Sequence, residues 1–160
     1  MNRGLTARWR GSRAFSLIEL IVTLWILAIL LGLSVPLVSK TVKREREYEL
    51  KRSLRELRQA IDYYKAASDA GRIEVQLDTE GYPPDLETLV DGVEAIGDAT
   101  GATLKFLRRV PLDPVTNSTD WGLRSYQDDP QTGSWGGQNV FDVYCISDEV
   151  ALDGSLYRDW

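Results

Sequence analysis

Histidine is absent from this chain of 160 residues. That removes the commonest general base and metal ligand, together with every Ser-His or Cys-His nucleophile arrangement. The one cysteine, Cys145, has no internal partner, so no intramolecular disulfide staples the fold. No glycine-rich phosphate loop opens a helix, and catalysis would have to rest on carboxylates alone. The adjacent acids Asp128 and Asp129 lie in an evident turn, so the sequence predicts no enzyme. Positive charge is in deficit, with 19 Lys and Arg against 24 Asp and Glu. A nucleic-acid partner, which demands a basic patch, is therefore not expected.

Charge of either sign is missing from residues 20–38. At a helical rise of ~1.5 Å per residue this run covers ~28 Å, close to the ~30 Å hydrocarbon core of a bilayer. Glu19 stands at its entrance, where an ionised carboxylate out of water is costly and calls for a named partner; the bland alternative is an interfacial acid with its head in water. Inside the run, Pro36 cannot donate to the carbonyl of Gly32, and the two weaknesses fall on one turn where a helix should kink or loosen. Residues 1–14 carry Arg3, Arg8, Arg10 and Arg13 and no acid, a cytoplasmic-retention pattern. The far flank, with Lys40, Lys43, Arg44 and Arg46, is basic too, so charge bias alone leaves the orientation open. A secretory signal cut near Gly32, Leu33 and Ser34 is the competing reading, but its h-region would contain Glu19 and exceed the usual length.

Beyond residue 38 the hydrophobic pattern becomes one-sided. Leu50, Leu54, Leu57, Ile61 and Tyr64 recur at steps of four and three amid dense charge, which predicts an amphipathic continuation of the helix over 39–70. Glu47 with Lys51 and Arg52 with Glu56 form i,i+4 pairs on its polar side. Gly71 ends the helix, and the alternation of Ile73, Val75 and Leu77 suits a short strand or extended link. Asp85 caps a brief helix carrying Leu86, Leu89 and Val90. Residues 93–102 read as a loop. Residues 121–126 and 139–146 are strand candidates, separated by a glycine-bearing loop at 128–138, and Trp121, Trp135 and Trp160 are placed as pins of a small core. The tail gathers Asp148, Glu149, Asp153 and Asp159 against one Arg158. Such oxygens either hold a calcium ion, with Asp148, Asp153 and Asp159 as ligands, or belong to a solvated Asp-Gly turn.

The order Ala14, Phe15, Ser16, Leu17, Ile18, Glu19 behind an arginine-bearing leader resembles the cleavage signal of type IV pilins and type II secretion pseudopilins. The resemblance implies a prepilin peptidase cut between Ala14 and Phe15, methylation of the new Phe15 amino terminus, and an assembly role for Glu19. Family leaders usually end in Gly, where this chain has Ala14. Without the leader, 15 basic residues face 24 acidic ones, a net charge near −9. The segment Tyr82-Pro83 with Leu86-Glu87-Thr88-Leu89, and Pro111-Leu112-Asp113-Pro114, look like stretches of the major pseudopilin, whose C-terminal loop binds calcium. The implied fold is α+β and pilin-like, with a long N-terminal helix, membrane-spanning in its first half, packed on a small antiparallel β-sheet. The implied parts are a leader at 1–14, an apolar helix at 15–38, its amphipathic continuation at 39–70 and a periplasmic globular part at 71–160. The implied function is a structural subunit of the type II secretion pseudopilus, single-pass in the inner membrane with its leader cytoplasmic. Its partners would be copies of itself, other pseudopilins, the peptidase and an inner-membrane assembly platform. A type IV (minor) pilin remains the alternative, and a membrane-anchored or exported binding domain a further one.

Overall fold

The computed structural model describes residues 15–97, 101–129 and 133–160, without the side chains of 33–38. Helix α1 runs Leu17–Asp69 and is followed by the short helix α2, Leu86–Asp91. Four brief strands come next: β1 (Val93–Glu94), β2 (Thr103–Leu104), β3 (Gly122–Arg124) and β4 (Asp142–Tyr144). A 3₁₀ turn at Tyr157–Asp159 closes the chain. The fold is thus α+β and pilin-like, a long N-terminal helix with small antiparallel sheets. Two compact units divide it at Thr41 and Val42.

In the second unit, the predicted stripe of α1 is the spine of the core. Leu50, Leu54, Leu57, Ile61 and Tyr64 are buried, and Ala60 and Ala67 extend the same face. Against them pack Leu86 and Leu89 of α2, Leu107, Trp121, Val140, Val143 and Tyr157. Each large aliphatic side chain so removed from water contributes ~1.5–3 kcal/mol. Helix α1 stops because Gly71, at φ +65°, takes the left-handed conformation that lets Gly71 and Arg72 donate to the carbonyls of Ser68 and Ala67.

Helix α2 begins as its cap residue predicts. Asp85 Oδ1 accepts from the Thr88 backbone N–H at 2.7 Å and from its hydroxyl at 2.6 Å. The carbonyl of Leu89 then receives the N–H groups of Phe106 and Leu107, fastening the following connector to the helix.

Among the described residues, two sheets, each of two antiparallel strands, replace the single sheet expected. Strands β3 and β4 pair Gly122 with Tyr144 and Arg124 with Asp142. The Tyr144 ring lies over Gly122, where an added Cβ would come within 2.3 Å of it, so any larger residue there would have to displace that ring. Strand β1 corrects the reading of 93–102 as a loop at its first two residues: Val93 pairs with Leu104 and Glu94 with Thr103. Of the 73–77 alternation only Ile73 pairs, in an isolated bridge to Ala95. Residues this short in strand carry too little alternation to be seen as strands.

The loop between β3 and β4 is tied by side chains. Asp128 Oδ2 accepts from the N–H groups of Ser125, at 2.8 Å, and Gly136, at 3.1 Å, and these bonds hold its carboxyl below the usual carboxylate range. Buried Asn139 accepts from the Tyr126 N–H and donates to Gln127, while its carbonyl receives Ser125 Oγ and Trp135 Nε1. Trp135 is 40% exposed, so it latches this loop rather than pinning the core. Trp121 is a core residue, its indole N–H donating to Pro111 O at 3.0 Å.

Candidate functional site

The N-terminal unit presents the candidate site on α1. Phe15 and Ser16 precede the first helical residue, and Leu20 N–H closes the opening turn on Ser16 O at 3.1 Å. Glu19 lies in that first turn. That places it beside the unsatisfied N–H groups at the positive end of the helix dipole. Its side chain is exposed, as are all the apolar ones around it. Phe15, Leu17, Ile18, Trp25 and Leu31 are each 65% exposed or more, and Leu20, Ile21, Val22, Leu24, Ile26, Leu27, Ile29 and Leu30 are exposed as well. A helix apolar on every side has no solvent face and requires lipid or other helices around it. Thr23 spends its hydroxyl on the carbonyl of Leu20 at 2.9 Å, so its own polar group is satisfied within the helix.

Gly32 and Pro36 fall within continuous α1, and an added Cβ at Gly32 would meet nothing within 4 Å. Ala14 and the rest of the leader lie outside the described residues. Among the described residues, no helix is long and apolar enough to cross a membrane. Of the uncharged run, positions 20–32 have described side chains and span ~20 Å at the helical rise, short of the ~30 Å hydrocarbon core.

Residues 9–35 match the model of the prokaryotic N-terminal methylation motif. The chain carries a prepilin-type leader. The match takes in Ala14, Phe15, Glu19 and Gly32 and supports a type IV pilin-like protein. Such a leader implies processing by prepilin peptidase, pilin-like assembly and anchoring to a membrane by the N-terminal helix. No curated protein and no solved structure matches the chain.

At the other end of this pilin-like chain, the three acids predicted as calcium ligands go separate ways. Asp148 pairs with Arg158 at 2.6 Å. Asp153 Oδ1 accepts from the hydroxyl and N–H of Ser155, at 2.6 and 2.9 Å, bonds that lower its pKa. Asp159 sits in the closing 3₁₀ turn. Among the described residues no group of three or more acids or thiols is gathered to hold a metal.

The polar face of α1 holds residues whose roles the sequence does not announce. Arg58 Nε meets Asp142 Oδ1 at 2.7 Å, and its Nη2 donates to the carbonyls of Val143, at 3.1 Å, and Trp160, at 2.9 Å. Glu47, read from spacing as a partner of Lys51, instead accepts from Leu152 N–H at 2.7 Å and Tyr157 Oη at 3.2 Å. Lys51 stands 4.1 Å above the Trp160 ring centre. These partners lie about a hundred residues away, beyond the reach of a local pairing rule, although an i,i+4 ladder of Lys43, Glu47 and Lys51 marks one helix face.

Proposed function

We propose that this chain is a structural subunit of a type II secretion pseudopilus, inserted in the inner membrane with its globular part periplasmic. Prepilin peptidase cuts between Ala14 and Phe15, Phe15 is methylated, and copies polymerise with other pseudopilins through an inner-membrane platform to drive protein export. The observation that carries the proposal is the methylation motif lying over a helix that holds Glu19 in its first turn and exposes apolar side chains all round. A carboxylate at the edge of an apolar environment is stabilised when a cation meets it, and the amino terminus of Phe15 on a neighbouring copy supplies one. Apolar packing gives the bulk attraction, and the charge pair fixes register. The lone buried Cys145 favours the secretion system over a type IV pilin whose tail is closed by a disulfide.

The test is Glu19→Ala in a secreting host. The variant should be cleaved and stay membrane-held yet fail to form filaments, with cross-linking through a cysteine at Trp25 lost. Normal filament yield from Glu19→Ala would overturn the assembly role. A secretion defect without any filament in the wild type would point to a membrane-anchored binding domain.

A further inference from the structure

The loop that the family resemblance assigns to calcium already contains cations of the chain's own. Lys43 Nζ donates to the carbonyl of Val150, and Arg158 neutralises Asp148. Three further carbonyls of the loop are engaged as well: Glu149 O accepts from Tyr157 N–H, Ala151 O from Gly154 N–H and Ser155 O from Ala151 N–H. Asp153 Oδ1 accepts from both the N–H and the hydroxyl of Ser155. Calcium wants six to eight oxygens directed at one point. Here these six oxygens are directed at N–H groups, a hydroxyl and two charged side chains, and among the described residues no three acids or thiols are gathered at one point, so the donor set does not fit the ion.

What closes the loop is α1. We propose that Glu47, flanked by Lys43 and Lys51, is the post to which the C-terminal loop of this chain is fastened, and that this clasp serves in place of a bound calcium ion. The three residues stand four apart, so they share one helix face. The Glu47 carboxylate takes the N–H of Leu152 at the loop tip and the phenol of Tyr157 at its base. Tyr157 is almost fully buried, and burial followed by its bond to Glu47 pushes its pKa up to about 12, so the phenol remains a donor. Its ring meets Trp160 edge-on at 5.1 Å, and the Trp160 indole in turn donates to Ser155 Oγ at 2.7 Å. Loop, terminal aromatics and helix thus form one closed set of contacts, and this holds whether or not the chain polymerises.

Amide hydrogen exchange of the full-length chain in detergent micelles tests the clasp, read at Leu152 and at core amides of β4, with 5 mM calcium or with chelator. In the wild type the Leu152 rate should be the same in both. Glu47→Ala should exchange Leu152 roughly tenfold faster, the worth of a hydrogen bond to a charged group, with β4 amides unchanged. Glu47→Gln, which keeps an acceptor oxygen but no charge, should fall between. Slower exchange at Leu152 on adding calcium to the wild type would overturn the proposal. So would unchanged Leu152 protection in Glu47→Ala.

Discussion

Arg58 on α1 and Asp142 at the start of β4, 84 positions apart, meet at 2.7 Å. The same guanidinium reaches the carbonyls of Val143 and Trp160, so one side chain ties the helix to the second sheet and to the C-terminus. Its fork geometry suits several acceptors at once, which an ammonium cannot match. With both partners half-buried, Arg58→Ala should cost about 1–2 kcal/mol and Arg58→Lys should recover only part of it. A double-mutant cycle with Asp142→Ala, by urea unfolding, measures the pair; additive losses would show no coupling.

Leu57 is fully buried in the middle of the α1 stripe. Leu57→Ala should therefore cost about 2–5 kcal/mol through lost transfer energy and the cavity left behind. The same change at exposed Leu31 should leave the stability of the globular unit unaltered, and thermal unfolding distinguishes them.

Alkali should weaken the fold. Burial, reinforced by the carboxylate of Asp113, pushes the Cys145 thiol up to about 12, and Tyr157 rises to about 12 for the reasons given above. Raised values mean that the stability from keeping both groups protonated is complete below their unfolded values of 9.0 and 10.0. It is lost as pH climbs from about 9 to 12. The urea midpoint should accordingly drop between pH 8 and 11, and a thiol reagent at pH 8 should label Cys145 only after unfolding. Rapid labelling of the folded chain would contradict this.

Asp85→Ala removes the cap of α2 and its two bonds to Thr88. A loss of ~1 kcal/mol is expected in urea unfolding, with Asp85→Asn near wild type.

The features visible in the sequence are those with local causes. The α1 stripe follows from a 3.6-residue period, α2 from Asp85 and its apolar face, and β4 from a run rich in β-branched and aromatic residues. What escaped notice depends on contacts between distant residues. Val93–Glu94 forms a strand because Thr103–Leu104 lies beside it, and nothing in two residues reveals a period. Glu47 looked like half of a helical ion pair because Lys51 stands four residues on, yet the folded loop offers it an N–H and a phenol. The tail acids show in sequence only their composition; that Asp148 meets Arg158 and Asp153 accepts from Ser155 is set by the folded loop. At the amino terminus the opposite holds: the motif is legible in sequence because a peptidase must read it as sequence.

Mass spectrometry of the mature protein's amino terminus, extracted from membranes, tests the central claim most directly. The account predicts a chain that begins at Phe15 carrying a methyl group on its amine. A chain that retains residues 1–14, or one that starts near Val35, would contradict it.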